Sequence, residues 1–203
     1  LVFCFGLGAN GKSVLGELLR WIVGDYARAI PVETLCESRR QAGGASPDLA
    51  DLAGARLAMS SETEDGQALA ESLIKSLTAG DAISARPLYG KPFTFQPQFK
   101  LLMLGNHRPI VRGTDHGIWR RIRLVPFNRT FSADERDPHL IDTLKAEGPH
   151  ILAWMVQGCI EWQRRGLSDV PRVVAAETSS YQGEQDLIGQ WLADETTRDP
   201  ASE

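Results

Sequence analysis

Gly6-Leu7-Gly8-Ala9-Asn10-Gly11-Lys12-Ser13 is the stretch that decides the fold of this chain. Its spacing, a glycine, four residues and then Gly-Lys-Ser, is typical of a loop that binds nucleotide phosphates. An apolar run from Leu1 to Phe5 precedes it, and apolar residues at helical spacing follow it from Lys12 to Val23. Strand, glycine-rich loop and helix in that order favour a phosphate site over a chance glycine-rich turn.

The loop predicts which residues hold a nucleotide. Glycines let the backbone amides point at phosphate oxygens, and the following helix adds its positive N-terminal end. Lys12 is expected to reach the β- and γ-phosphates, and the Ser13 hydroxyl to ligate Mg²⁺. We therefore predict ATP and Mg²⁺ as cofactors, bound through Gly6, Gly8, Ala9, Asn10, Gly11, Lys12, Ser13 and Val14.

Two carboxylates follow a second predicted strand at 56–61, namely Glu62 and Glu64. Hydrolysis needs one acid at the Mg²⁺ shell and another that polarises the attacking water. Glu62 directly follows the apolar strand, so it is the principal candidate as catalytic residue and metal ligand. The alternative is a solvated acidic turn.

Polar residues also accompany the next two predicted strands, at 99–104 and 121–127. Asn106 follows the first, where an amide could contact the γ-phosphate or orient water, although asparagine also favours turns. Arg120, Arg121 and Arg123 accompany the second, and charged arginines beside a strand are costly unless they meet anions. Arg120 or Arg121 is expected to serve as an arginine finger toward a neighbouring subunit; the alternative is surface charge on a strand edge.

A hairpin is predicted between residues 82 and 95. Lys91 lies at its tip beside Tyr89, with Arg86 on one arm. Cations next to an aromatic ring suit single-stranded nucleic acid, although a lysine at a hairpin tip can also be merely solvated. We predict that Arg86, Tyr89 and Lys91 bind DNA.

Composition bounds the remaining possibilities. The chain has 203 residues and a net charge of −4, so any DNA contact must come from a local cluster or from several subunits. Its three cysteines show no metal or disulfide spacing, which fits a reducing cytoplasm. Residues 37–47 resemble a mobile polar loop. From Pro138 onward the pattern is helical, and Trp154 and Trp162 are expected in the core.

Taken together, five motifs in order resemble the superfamily 3 helicases. They are Gly-Ala-Asn-Gly-Lys-Ser, Ser-Ser-Glu-Thr-Glu, Leu-Thr-Ala-Gly-Asp with Ala-Arg-Pro-Leu-Tyr, Leu-Gly-Asn-His-Arg-Pro, and Gly-Ile-Trp-Arg-Arg-Ile-Arg-Leu-Val-Pro-Phe. Within that group the chain is most similar to the phage/plasmid primase and poxvirus-type primase-helicase branch, over about residues 1–165.

The resemblance implies an α/β fold of the AAA+ P-loop NTPase type: a central, mostly parallel sheet flanked by helices, an inserted hairpin and a helical C-terminal tail. It also implies a hexameric ring, ATP sites between subunits, single-stranded DNA as partner and an upstream primase region in the same polypeptide. We expect an ATPase core at 1–130, and a helical region with the start of a linker at 131–203. The alternatives are a P-loop small-molecule kinase and a nucleotide-dependent replication docking module.

Overall fold

The computed structural model describes residues 1–37, 45–61 and 65–195. The predicted polar loop at 37–47 falls largely outside these ranges. Within them, the strands are β1 (Val2–Phe5), β2 (Ala27–Ala29), β3 (Leu57–Ser61), β4 (Ile83–Ala85), β5 (Phe93–Phe95), β6 (Lys100–Gly105) and β7 (Arg123–Pro126). The α-helices are α1 (Lys12–Val23), α2 (Val32–Leu35), α3 (Pro47–Ala50), α4 (Glu71–Ala79), α5 (His116–Trp119), α6 (Leu140–Ala146), α7 (Gly148–Arg165), α8 (Arg172–Gln185) and α9 (Leu187–Glu195).

A five-stranded parallel sheet forms the centre, in the order β2-β3-β6-β1-β7. The prediction of an α/β fold with a mostly parallel sheet flanked by helices is confirmed. Phe5 pairs with Gly105 and with Pro126, so the carboxyl ends of three neighbouring strands lie at one edge. Ligands bind at this edge in open parallel sheets.

Both faces of the sheet are covered because its strands are apolar on both sides, as parallel sheets require. Phe3 and Met103 lie in the larger core cluster, on the face covered by α4 and α5. Cys4, Leu102 and Leu104 form a smaller cluster on the other face, where α1 packs. Gly16 of α1 lies so close to Leu104 that an added Cβ would come within 2.5 Å of its Cδ1 atom.

Helix α8 packs against β7 at the edge of the sheet. The Leu124 amide of β7 donates to the Thr178 hydroxyl (3.0 Å), which occupies a backbone donor that an edge strand would otherwise expose. Tyr181 is buried, packs edge-to-face on Trp119 with ring centroids 5.2 Å apart, and donates its hydroxyl to the Pro109 carbonyl.

Helix α6 and the beginning of α7 pack against α1. Lys145 pairs with Glu17 of α1 at 2.7 Å, and Gly148 packs against the Trp21 ring. Beyond Gly148, α7 is largely uncovered. The prediction that Trp154 and Trp162 belong to the core is wrong, since they are 74% and 43% exposed. Helical periodicity identifies an apolar face but not whether a neighbour covers it.

The hairpin is present, with β4 and β5 antiparallel and Ser84 opposite Thr94. Other boundaries shift. The strand predicted at 121–127 begins at Arg123 instead. Arg121 lies in the preceding turn, where its amide donates to the Ile118 carbonyl. Strand β2 was not predicted because a run of three residues, Ala27–Ala29, is too short to show a strand period. No helix among the described residues combines the length and the apolar character that crossing a membrane requires.

Candidate functional site

A cleft of about 630 Å³ opens at the carboxyl ends of the strands. The loop after β1, the first turns of α1 and the ends of β3 and β6 form its wall. Its lining is Gly8, Ala9, Asn10, Gly11, Lys12, Ser13, Val14, Gly16, Glu17, Arg20, Ala29, Met59, Ser60, Ser61, Leu104, Gly105 and Asn106. Of the eight predicted nucleotide-binding residues, seven line the cleft, and Gly6 lies buried directly beneath the loop.

The loop backbone takes conformations that its sequence permits. Gly8 and Gly11 have φ of 107° and 87°, where a side chain would be strained, and Ala9 is held at 47°. Gly11 caps α1 and its carbonyl accepts the first helical hydrogen bond, from the Leu15 amide at 2.9 Å. The helix N-terminus therefore faces the cleft, where helix amides can meet an anion, and the Lys12 amide makes a long hydrogen bond of 3.5 Å to the Asn10 side-chain oxygen.

Lys12 is buried, with 5% of its surface exposed, and its ammonium group lies inside the loop. It donates to the Gly6 carbonyl at 2.6 Å and to the Asn10 side-chain oxygen at 3.0 Å. Neither acceptor carries a charge. Burial lowers the pKa of Lys12, and the neighbouring Cys4 side chain acts in the opposite direction with the smaller effect. A buried cation with neutral partners is a site that an anionic ligand would stabilise.

The strand edge at β7 supports the loop from one side. The Asn10 amide donates to the Phe127 carbonyl at 3.1 Å, and the Phe131 amide donates to the Ala9 carbonyl at 2.8 Å. The Asn10 side chain therefore joins Lys12 to the segment after β7. This brace orients the oxygen that holds the ammonium group.

The predicted carboxylates, Glu62 and Glu64, lie outside the described residues. The strand that leads to them ends in two serines that line the cleft. Ser60 is 2% exposed and its hydroxyl has no hydrogen-bond partner among the described residues. Ser61 is exposed at the strand end, level with Leu104 of β6.

Asn106 directly follows β6, is exposed and lines the cleft. Because β6 lies between β3 and β1, Asn106 lies between the ends of those two strands. The structure thus brings Asn106, Lys12 and Ser13 to one cavity. Arg20 and Glu17, which were not predicted from the sequence, line the same cavity. Their signal is helical spacing, because positions 13, 17 and 20 share one face of α1.

The predicted arginines lie away from the cleft of their own chain. Arg123 pairs with Val2 at the beginning of β1. Phe5, where β1 runs into the phosphate loop, is three residues further along the strand, so Arg123 lies about 10 Å from that end. Arg120 is exposed, and Arg121 donates to the Gly117 carbonyl at 2.5 Å. None of the three lines the cleft.

The predicted DNA-contact residues are also separate from the cleft. Tyr89 is fully exposed with φ of 59°, and Lys91 is exposed beside it. Arg86 donates to the Gly90 carbonyl at 3.3 Å, which holds the tip together. Its backbone also pairs with Ser46: the Ser46 amide donates to the Arg86 carbonyl at 2.8 Å. The hairpin tip thus presents an aromatic ring and a cation to solvent.

Three viral proteins and one protein family are similar to this chain. The sequence model of a family described as "Family of unknown function (DUF5906)" matches residues 4–121. A putative helicase, L207/L206, of Acanthamoeba polyphaga mimivirus is 31% identical over 92% of this chain and 22% of its own length. A putative helicase, 022R, of Frog virus 3 is 32% identical over 100% of this chain and 22% of its own length. A putative primase, C962R, of African swine fever virus is 25% identical over 100% of this chain and 23% of its own length.

Solved structures show a similar fold. The NrS-1 C-terminal region in its A form superposes with a TM-score of 0.54 at 14% identity, over 72% of this chain and 34% of that one. At this identity the likeness concerns the fold alone. The chain spans about a fifth of the length of the curated relatives described above.

Proposed function

The chain belongs to the DUF5906 family, and from the cleft around Lys12 and the relatives named putative helicases we propose that it is the ATP-driven motor of a superfamily 3 DNA helicase. The relatives named as putative helicases and primases of large DNA viruses support a role in replication. In this proposal the longer protein carries a primase region upstream, and the fold is of the AAA+ P-loop type.

The observation that carries the proposal is the buried ammonium group of Lys12. Its acceptors are a backbone carbonyl and an amide oxygen, so no charge among the described residues compensates it. A triphosphate entering the cleft would supply that compensation and would meet the amides at the start of α1. The donor set therefore fits ATP.

A magnesium ion also fits the residues present. Ser13 is exposed at the start of α1 and lines the cleft, in the position that a hydroxyl ligand requires. Ser13 and Glu62 are the residues that would hold the ion, which neutralises phosphate charge when bound. Ser61 adds a further hydroxyl at the end of β3.

The mechanism assigns one task to each group. Lys12 moves from its neutral acceptors to the phosphates, and Glu62 takes the proton of the attacking water, with Glu64 as a second acid. Asn106 reaches the reacting phosphate or orients the water from the end of β6. Arg120 and Arg121 both precede β7, so they lie at the amino ends of the strands, whereas the cleft lies at the carboxyl ends. Neither can therefore contact a nucleotide in the cleft of its own chain. In this proposal one of them completes the site of a neighbouring subunit, as a ring-shaped oligomer would allow.

Strand order supports an AAA+ arrangement. Strand β6 lies between β1 and β3, so Asn106 emerges between the phosphate loop and the strand that leads to Glu62. The hairpin β4–β5 comes immediately before β6 in the chain. Strand β6 therefore connects the proposed DNA-contact residues Arg86, Tyr89 and Lys91 to Asn106 at its far end. We propose that nucleotide state shifts this hairpin along single-stranded DNA in a hexamer. The proposed core is 1–130, and 131–203 is the helical region with the start of a linker. The proposed location is the cytoplasm, which is the host cytoplasm if a phage or prophage encodes the protein.

The test is phosphate release from ATP by the wild type and by Lys12→Ala, each with and without single-stranded DNA. The expected result is release that DNA stimulates and that falls at least about a hundredfold in the variant. A forked duplex then tests unwinding. Phosphate transferred to a small-molecule acceptor, in place of free phosphate, would contradict the helicase assignment. An assembled ring that hydrolyses ATP but never separates strands would contradict unwinding.

A further inference from the structure

A row of cations and aromatic rings crosses the sheet edge opposite the cleft. Backbone hydrogen bonds connect the beginnings of β2, β3 and β6 there. The Arg56 amide donates to the Tyr26 carbonyl at 2.8 Å, and the Lys100 amide donates to the Arg56 carbonyl at 2.9 Å. Arg123 begins β7 at the same edge. We call Arg56, Lys100 and Arg123, with the rings of Tyr26 and Trp162, the basal rim.

The basal rim pairs each of two cations with a ring. The Arg56 guanidinium lies 6.0 Å from the centre of the Tyr26 ring, and the Lys100 ammonium lies 5.6 Å from that of Trp162. Tyr26 is 60% exposed and Trp162 is 43% exposed, so both rings retain a free surface. This arrangement presents positive charge and stacking surfaces side by side.

The basal cations have no acidic partner within the part of the chain that the structure describes. Among the ion pairs that the described ranges contain, none includes Arg56, Lys100 or Arg123. Arg56 donates to the Gln98 side chain, and Arg123 donates to the Arg120 and Ile122 carbonyls. In a chain of net charge −4, uncompensated cations aligned at one edge are a local positive field.

Strand β1 lies between β6 and β7, so Lys100 and Arg123 stand two strands apart at this end of the sheet. From Arg56 to Arg123 the row spans three strand spacings, or about 14 Å.

We propose that the basal rim is a second binding site for single-stranded DNA, separate from the hairpin tip. Phosphates would meet Arg56, Lys100 and Arg123, and bases would stack on Tyr26 and Trp162. Exposed rings favour a single strand over a duplex, because only unpaired bases offer their faces. The site needs no nucleotide and does not rest on the proposed ATPase activity.

The experiment is fluorescence anisotropy of labelled oligothymidine of about 16 nucleotides, without ATP, on the chain as it stands. Arg56→Gln/Lys100→Gln/Arg123→Gln is compared with Arg129→Gln/Arg164→Gln/Arg165→Gln, which removes three exposed cations that are each ion-paired. Both variants lose the same charge. Thermal unfolding followed by circular dichroism shows whether each is folded.

The rim variant is expected to bind at least about tenfold more weakly at low salt, and the slope of log affinity against log salt should fall by about two. Each single rim substitution, which perturbs the fold less, should lower that slope by about 0.7. Equal affinities for the two triple variants would overturn the proposal. A second result would also overturn it. If inorganic tripolyphosphate displaced the labelled DNA as well as unlabelled oligothymidine does at equal phosphate concentration, the rim would be a site for nucleotide phosphates.

A hairpin variant, Arg86→Gln/Lys91→Gln, separates this inference from the proposed motor. Loss of all DNA binding in the hairpin variant with an intact rim would overturn the rim site and leave the motor standing. DNA binding by the rim in a chain that releases no phosphate would support the rim and count against the motor.

Discussion

The ammonium group of Lys12 donates a hydrogen bond of 2.6 Å to the carbonyl oxygen of Gly6, at the base of its own phosphate loop. The charge is buried, and burial lowers the pKa of Lys12 from its ordinary 10.5. The unfolded chain therefore holds this proton to higher pH than the folded chain. Since stability rises with pH wherever the unfolded state binds more protons, the free energy of unfolding should rise relative to Lys12→Met as pH approaches 10.5.

The measurement is urea unfolding of wild type and Lys12→Met across that range, both in a Cys4→Ala background because the Cys4 thiol titrates nearby. ATP offers a second comparison. It should raise the unfolding midpoint of the parent chain and leave Lys12→Met unchanged. Parallel pH profiles for the two proteins would show that the ammonium group is not desolvated.

Gly6 is a position where no side chain fits. An added Cβ would overlap the Asn10 side chain and the Phe127 backbone carbonyl, and the backbone atom cannot move aside cheaply. Gly6→Ala should therefore lower the free energy of unfolding by about 2 kcal/mol and abolish nucleotide binding. Gly158→Ala in α7 is the matched control, since nothing lies within 4 Å of its added Cβ. It should raise stability by about 0.5–1 kcal/mol. Urea unfolding and fluorescent-nucleotide titration decide between these outcomes.

The two acids after β3 can be separated by amide substitution. Glu62→Gln should still bind ATP but release phosphate at least about a hundredfold more slowly, because the water loses its base. Glu64→Gln should have the smaller effect, since Glu62 directly follows the strand. Single-turnover phosphate release, with nucleotide affinity measured beside it, separates chemistry from binding. The reverse ranking would move the base to Glu64.

Sequence predicted what local pattern dictates and missed what depends on neighbours. The loop, α1 and the apolar strands followed from glycine spacing and periodicity, and their parallel arrangement brought Asn106 to the cleft that holds Lys12. Strand β2 was missed because a three-residue edge strand carries too few apolar positions. The exposure of Trp154 depends on where α7 leaves the body. The Lys12–Asn10 hydrogen bond depends on a brace from Phe127, 117 residues along the chain.

Tyr181 anchors α8 to the segment after β6. Its ring is buried and its hydroxyl donates to the Pro109 carbonyl, so burial raises its pKa well above the usual range. Tyr181→Phe leaves that carbonyl without its donor and should cost about 1–2 kcal/mol of unfolding free energy. Tyr26→Phe, at an exposed ring, should change stability by less than about 0.5 kcal/mol. Equal losses in the two variants would show that the hydrogen bond contributes little.

The three cysteines should react at different rates. Cys159 is exposed, whereas Cys4 and Cys36 are buried. Burial raises the pKa of Cys4 to about 11 against the opposing charge of Lys12, and burial followed by the charge of Glu33 raises the pKa of Cys36. Because the thiolate is the nucleophile, Ellman's reagent at pH 8 should label one thiol quickly in the native chain. Cys159→Ser should abolish that fast phase, and denaturant should expose all three thiols.

The same burial predicts an alkaline loss of stability at Cys4. The folded chain keeps the thiol proton to about pH 11, whereas the unfolded chain loses it near 9.0. The stabilisation is therefore complete below pH 9 and disappears as pH rises through 11. Wild type should lose stability over this interval relative to Cys4→Ala, in which no thiol titrates. A Cys4 that reacts as fast as Cys159 in the native state would contradict both expectations, and would show that β1 opens to solvent.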